Sequence, residues 1–338
     1  MIRAAIVGLG WWGKNLVNAV RGDDAVISFV AAHTRRADPA GNFCREHGLR
    51  WVGDFDQLLS DPTLDAVVLA TPHSAHAAQV IRAVTAGKSV FVEKPFTLSV
   101  TDARRAIAAA EHAGVVLAVG FNRRFHPSMA RLRQTVREGR LGTIVTVLSE
   151  QSALHGLQLT ADAWRSIPEE TPVGAMTQVG VHQIDGMIDL LGPIRSVSCL
   201  TAHRAAPFGG DDTTALMLSF ASGAIGLVSC SVVATPNCRM AVYGTQGLAE
   251  VLGHQMGTFR LTPSADPGQL SAGRTDVVET ASFNMLAAEL TEFAHCVAER
   301  RPFPTPLPEI LHGVEVFEAA LRSAETRQPV QIGGGMWR

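Results

Sequence analysis

The chain has 338 residues, with 29 Lys and Arg against 31 Asp and Glu for a formal net charge of −2. That balance supplies no global field for nucleic acid or an anionic membrane, so a charged ligand has to be met locally. The five cysteines, Cys44, Cys199, Cys230, Cys238 and Cys296, lack Cys-x-x-Cys spacing, which points away from a zinc site or disulfide framework and toward a reducing compartment.

Ala4-Ala5-Ile6-Val7 reads as a buried strand that runs straight into Gly8-Leu9-Gly10-Trp11-Trp12-Gly13 and then into a helical pattern over 12–21. Gly-x-Gly-x-x-Gly between a strand and a helix is the dinucleotide-binding fingerprint. Gly8 permits the tight turn, Gly10 lets backbone N–H groups approach a pyrophosphate, and Gly13 lets the helix pack closely on the sheet. The phosphates are expected at the positive helix N-terminus, beside Trp11 and Trp12. With a strand starting at the second residue no secretory leader is expected, and no apolar run is long enough to span a bilayer, so a cytoplasmic protein is expected.

Strand and helix patterns then alternate: a strand over 27–32, a helix over 39–47, a strand over 66–70, a helix to 84, a strand over 90–92, a helix over 100–113 and a strand over 115–119. Alternation predicts an α/β doubly wound parallel sheet, a Rossmann domain over 1–124. After Arg124 the rhythm changes. A helix over 129–138 precedes strand-like runs at 144–149, 197–201, 214–220, 225–231 and 240–243, separated by Gly-rich turns. These predict an α+β domain over 125–332 built on a large open, mainly antiparallel sheet. Helices over 284–299 and 310–325 are assigned to it, and 333–338 reads as a flexible tail. Two domains suit a chain of this length.

The nucleotide is read at the end of the second strand. An acidic residue about twenty positions past the glycines usually accepts both ribose hydroxyls of NAD. Here His33-Thr34-Arg35-Arg36 stands instead, a hydroxyl and two guanidiniums suited to a 2′-phosphate, so NADP is favoured over NAD.

Further on, Asp65-Ala66-Val67-Val68-Leu69-Ala70-Thr71-Pro72 leads to His76, and Gly87-Lys88 leads to Val92-Glu93-Lys94-Pro95. Gly120-Phe121-Asn122-Arg123-Arg124-Phe125, Gly180-x-His182-x-x-Asp185 and Tyr243-Gly244-Thr245-x-Gly247 follow. With the glycine fingerprint, this ordered set closely resembles the glucose-fructose oxidoreductase, inositol dehydrogenase and MocA family along nearly the whole chain. The resemblance implies hydride transfer between a nicotinamide and a secondary alcohol or ketone of a sugar, polyol or related substrate, with cofactor contacts at Thr71, Pro72, His76, Glu93, Lys94 and Asn122. It implies a dehydrogenase or reductase acting on CH–OH groups, with a cis-dihydrodiol dehydrogenase among the candidates. It also implies a homodimer or homotetramer through the C-terminal sheet. In the family the lysine matching Lys94 contacts substrate, and the peptide bond after it is commonly cis. Chemically, a lysine there polarises the substrate oxygen or takes its proton.

Gln178, His182, Asp185 and Asp189 fall at spacings of four, three and four, a polar stripe on an otherwise apolar helix. His182 suits proton exchange near neutrality. The family often carries Asp at the position of Gln178, and a glutamine amide hydrogen-bonds a hydroxyl but accepts no proton. Lys94, His182, Gln178 and Asp185 are the catalytic candidates, with Asp185 expected to orient His182 or hold structure. Arg123, Trp164 and Arg165 are substrate candidates: an arginine fork clamps carboxylates or hydroxyls and a tryptophan walls a ring, which suits a carboxylated cyclic diol. His73 and His76 have no companion at ligand spacing, so no metal is expected. Two rival readings stand beside the dehydrogenase. One is a nucleotide-binding sensor or regulatory protein that kept the fold and lost catalysis, and the other an enzyme cycling a permanently held nucleotide.

Overall fold

The computed structural model describes residues 1–22, 25–34, 38–265 and 271–333. Its contacts divide it into two compact units, Met1–Asn122 with Asn284–Leu311, and Arg123–Phe283 with His312–Arg338.

The first unit runs β1 (Ile2–Val7), α1 (Trp11–Ala19), β2 (Ile27–His33), α2 (Asp38–Glu46), β3 (Arg50–Trp51), α3 (Phe55–Leu59), β4 (Ala66–Leu69), α4 (His76–Thr85), β5 (Ser89–Val92), α5 (Val100–Ala113) and β6 (Leu117–Val119). The strands form one parallel sheet in the order β3-β2-β1-β4-β5-β6. This is the doubly wound dinucleotide-binding order. Every residue of β4 and β5 is buried, as a sheet covered on both faces requires. Local signals set the ends of α5: the Ser99 side chain accepts from the Asp102 N–H, and Gly114 closes the helix in the left-handed region.

The second unit contains α6 (Pro127–Arg137), β7 (Ile144–Ser152), α7 (Val181–Leu191), β8 (Ile194–Ala202), β9 (Thr213–Phe220), β10 (Ile225–Ser231), β11 (Asn237–Gly244), β12 (Gly247–Leu252), β13 (Thr258–Pro263) and β14 (Asp276–Glu279). Then come α8 (Met285–Glu299), α9 (Leu307–Thr326) and β15 (Val330–Gln331). The nine-stranded sheet has the order β14-β13-β12-β11-β7-β10-β9-β8-β15, antiparallel throughout except for the parallel pair β7 and β10. Burial alternates strictly along β9, with Thr214, Leu216, Leu218 and Phe220 inward. The other face leaves Leu200, Met217, Ile225 and Leu227 at 70%, 55%, 50% and 42% exposure.

One expected boundary moves. α8 belongs to the first unit, because its apolar side packs there: Phe293 and Leu290 are fully buried, and the Phe293 ring meets that of Phe91 at 5.8 Å. The expected tail lies, apart from Gly333, outside the described residues.

Candidate functional site

In the first unit the glycines differ in what surrounds them. Gly8 has φ +94°, and a Cβ there falls 2.5 Å from the Ala70 carbonyl oxygen; at Gly13 it falls 1.9 Å from that of Gly8. A Cβ at Gly10 meets nothing within 4 Å. Gly10 is the N-cap of α1, with no side chain capping the helix and no acid in its first turn. The result is a bare, positive helix end with open space in front of it, a fit for a pyrophosphate. Trp12 Nε1 is buried with no hydrogen-bond partner among the described residues, so one further donor stands beside this cradle. Trp11 lies 72% exposed, its ring 5.4 Å from that of Trp12. Thr34 follows the end of β2, whereas Arg35 and Arg36, which carry the NADP reading, lie outside the described residues.

The carboxyl end of β5 turns through Glu93, Lys94 and Pro95, with the Lys94–Pro95 peptide bond cis. The Lys94 N–H donates to Glu93 Oε2 at 3.3 Å, and the Glu93 carboxyl packs where a Gly120 side chain would stand, 3.0 Å from its ideal Cβ. His76 begins α4 with Nδ1 2.9 Å from the Pro95 carbonyl and Nε2 3.1 Å from that of Thr71. It ties the Thr71-Pro72 loop to the lysine turn. The ring is fully buried at the start of α4. Thr71 Oγ1 donates to Gln79 Oε1 at 2.6 Å, and Asn122 is buried. Glu289 of α8 is a residue the sequence reading missed: it is fully buried, and burial together with the neighbouring Glu93 pushes its carboxyl well above the usual range.

In the second unit the polar stripe divides. Met176–Gly180 forms a π-helical turn, and α7 begins only at Val181, so the α-helical spacing that joined Gln178 to His182 does not hold across it. Asp185 accepts from Arg124 Nε at 2.9 Å and Nη2 at 2.7 Å, and Asp189 from Arg133 Nε at 2.6 Å, all among buried or part-buried groups. Asp185 is thereby committed to an ion pair that holds α7. His182 lines a narrow cavity of about 10 Å³ with Arg123, Gln183 and Cys238, room for at most one water. Arg123 Nη1 donates to Cys238 Sγ at 3.4 Å, and burial pushes the guanidinium's pKa below its ordinary value. The Arg165 guanidinium stacks on the Trp164 ring at 4.2 Å, so those two expected substrate residues do form a pair.

A second residue missed in the sequence is His155, whose Nε2 lies 2.9 Å from Gln178 Oε1. A lone histidine opening a one-turn 3-10 helix, His155–Gln158, carries no periodicity; the hint was chemical, a non-titratable amide where the resemblance implies a carboxylate.

Sequence comparison agrees with this architecture. The model of an oxidoreductase family with an NAD-binding Rossmann fold matches residues 2–121, and that of the GFO/IDH/MocA C-terminal domain matches residues 129–250. Scyllo-inositol 2-dehydrogenase (NAD(+)) of Bacillus subtilis (strain 168) is 30% identical over 98% of this chain and 96% of its own length. The chain belongs to the Gfo/Idh/MocA oxidoreductase family. Two more distant family relatives are D-apiose dehydrogenase of Paraburkholderia graminis and trans-1,2-dihydrobenzene-1,2-diol dehydrogenase of Bos taurus. The first is 29% identical over 77% of this chain and 67% of its own, the second 27% over 66% and 65%. Levoglucosan dehydrogenase in complex with NADH shares the fold, with TM-score 0.88, 20% identity and coverage of 98% of this chain and 99% of its own. Among the described residues no cluster of His, Cys, Asp or Glu is placed to hold a metal ion, and no helix is long and apolar enough to cross a membrane.

Proposed function

We propose that this oxidoreductase interconverts a secondary alcohol and a ketone in a sugar, polyol or carboxylated cyclic diol, with NADP as the preferred nucleotide. The observation that carries the reading is the bare, uncapped N-terminus of α1 behind Gly10, on the same sheet as the Glu93-Lys94-Pro95 turn. When bound, the nicotinamide supplies the hydride acceptor or donor. Lys94 polarises the substrate oxygen and stabilises charge on it, and His182 exchanges the hydroxyl proton. Gln178 hydrogen-bonds a neighbouring substrate oxygen, and Trp164 with Arg165 holds the ring or an acid group. The unit Met1–Asn122 with Asn284–Leu311 carries nucleotide binding, and the unit Arg123–Phe283 with His312–Arg338 substrate binding. The names of relatives that act on inositol, apiose and a dihydrodiol support the substrate class. The preference for the phosphorylated nucleotide rests on Thr34-Arg35-Arg36 and the missing acid.

The test is a melting comparison with NADPH, NADP, NADH and NAD, followed by turnover on polyols, sugars and acidic cyclic diols. A ligand that binds only the folded state raises its stability by about 2.7 kcal/mol at a hundredfold excess over Kd. Selective stabilisation by the phosphorylated pair with turnover is the expected result. Stabilisation with no turnover on any alcohol favours a sensor that kept the fold, the reading Gln178 keeps in view.

The same proposal includes self-association. Leu200, Met217, Ile225 and Leu227 form one apolar patch on the open sheet face, Leu227 pairing directly with Met217 across β10 and β9. A second copy of the chain covers it in a homodimer or homotetramer. Light scattering on the protein and on Met217→Glu decides this; a monomeric wild type removes it. All five cysteines are free and buried, which suits a reducing, cytoplasmic setting.

A further inference from the structure

We propose that the first unit carries a second small-molecule site, at the opposite edge of its sheet from the nucleotide cradle, which binds a monocarboxylate with an apolar body. The site is independent of the dehydrogenase reading.

The six strands of this sheet run parallel, so the carboxyl ends that lead to Gly8 and to the lysine turn lie on one edge and the amino ends on the other. Beside the amino ends of β4, β5 and β6 lies a cavity of about 600 Å³. Asp65, Ser89 and Val116 line it from the sheet, and Val297, Arg300 and Thr305 from the end of α8 and the segment that follows. Its volume is within the ~300–1,000 Å³ usual for small-molecule sites. β4 is four residues long, so about 13 Å of strand, at about 3.3 Å per residue, separates this edge from the other. Cavity and cradle can therefore be filled at once.

Three polar side chains on the wall are already engaged: Arg301 by Glu292 at 2.8 Å and Glu299 at 2.6 Å, Asp65 by the Arg3 N–H at 2.8 Å, and Ser89 by the Val116 N–H at 3.3 Å. Arg300 and Thr305 are not. Among the described residues the Arg300 guanidinium has no ion-pair partner and the Thr305 hydroxyl makes no hydrogen bond, although Thr305 is only 2% exposed. A buried hydroxyl left unpaired costs stability, so Thr305 points to a ligand that completes it. Arg300 caps α8 at φ +53°, in the left-handed region where glycine is the usual residue. The cap itself is made by its backbone N–H, bonded to the Cys296 and Val297 carbonyls, so the side chain is left for another task. A guanidinium and a hydroxyl together recognise a carboxylate through charge-assisted hydrogen bonds. One uncommitted cation matches one negative charge, which favours a monocarboxylate over a phosphate dianion. Val115, Val297, Pro302 and Pro306 offer the rest of the ligand an apolar wall.

The experiment uses the full chain in excess NADPH, with benzoate as the probe and the neutral benzamide as its isostere, followed by calorimetry and by methyl NMR. Benzoate is expected to bind at least about tenfold tighter than benzamide and to move the methyl signals of Val115, Val116, Leu117 and Val297. Arg300→Gly should melt no lower than wild type, because glycine suits the left-handed cap, and should bring the two affinities to within about twofold. Arg300→Lys keeps the charge and should keep most of the preference. Thr305→Val should weaken benzoate roughly fivefold, the worth of one hydrogen bond. Lys94→Ala should leave benzoate binding as it is, which separates the cavity from the lysine turn. Benzoate binding no tighter than benzamide, methyl shifts confined to other residues, or a preference unmoved by Arg300→Gly overturns the proposal. So does a Val116→Trp variant, made to fill the cavity, that binds benzoate like wild type. A change of mass in light scattering on that variant, with no benzoate bound by wild type, assigns the cavity to a contact between copies of the chain and equally overturns it.

Discussion

Glu289, fully buried on α8, has the Glu93 carboxylate of the lysine turn as its charged neighbour. Both Glu289 oxygens lack a hydrogen-bond partner among the described residues, so the charged form is disfavoured by burial first and by Glu93 second. The native state therefore keeps a proton that the unfolded chain releases. Stability from this group is present below the unfolded carboxylate pKa and is lost as pH rises through the higher folded value. Glu289→Gln removes the titration. Chemical denaturation of both proteins from pH 5 to pH 8 should show wild type losing stability relative to the variant by at least about 1.4 kcal/mol, the worth of one pKa unit. Parallel curves would remove Glu289 as the titrating group.

Gly13 and Gly10 of the fingerprint should fail in different ways. Gly13→Ala puts a methyl 1.9 Å from the Gly8 carbonyl oxygen, so the first unit should not fold. Gly10→Ala meets open space and leaves the apo melting temperature close to wild type, since surface substitutions of this kind are usually within about 0.5 kcal/mol. The same methyl stands where the pyrophosphate approaches, so nucleotide affinity should fall tenfold or more. Melting curves of both variants with and without NADPH separate the two outcomes.

The Arg124 and Asp185 ion pair, with side chains 8% and 7% exposed, makes a claim about stability rather than chemistry. Removing one partner of a buried pair leaves an uncompensated charge and typically costs 3–5 kcal/mol. Arg124 Nη1 also lies 3.4 Å from Asp189 Oδ1, which keeps part of its charge compensated, so Asp185→Ala should lower stability by the low end of that range, about 3 kcal/mol or less. The double replacement Arg124→Met with Asp185→Leu should recover much of it. A variant Asp185→Asn that folds well yet loses all turnover would return Asp185 to the reacting groups.

These cases mark what was legible in the sequence. The ends of α5 and the run of β10 follow from short-range signals, a Ser99 cap with Asp102, a left-handed Gly114 and strict alternation, and they stand where periodicity put them. Glu289 and α8 were misplaced because their partners, Phe91 and Glu93, lie far away in the chain on a sheet built from other segments. The π turn at Met176–Gly180 was read as α-helix because one extra residue in a turn leaves hydropathy almost unchanged. β12, β13 and β14 are weakly marked in the sequence, because Thr245-Gln246 turns tightly between the paired Gly244 and Gly247 and β14 is almost wholly exposed. His155 meets Gln178 across 23 residues broken into short helical turns, a pairing no local pattern encodes.

The central prediction concerns Lys94 and His182. Lys94 follows β5, its N–H bonded to Glu93 and its turn held through Pro95 by His76; His182 sits on α7, whose Asp185 and Asp189 are occupied by Arg124 and Arg133. Lys94→Ala and His182→Ala should each reduce kcat by about two powers of ten, the usual worth of one positioned proton-transfer or charge-stabilising group. Nucleotide affinity should stay within a few-fold, because the phosphate cradle at Gly10 is untouched. Lys94→Arg keeps the charge without a readily removed proton, so it should retain more activity than Lys94→Ala only if the lysine acts as an electrostatic clamp. Steady-state kinetics with nucleotide titration on the three variants reads out both roles, and full activity in both alanine variants would end the assignment.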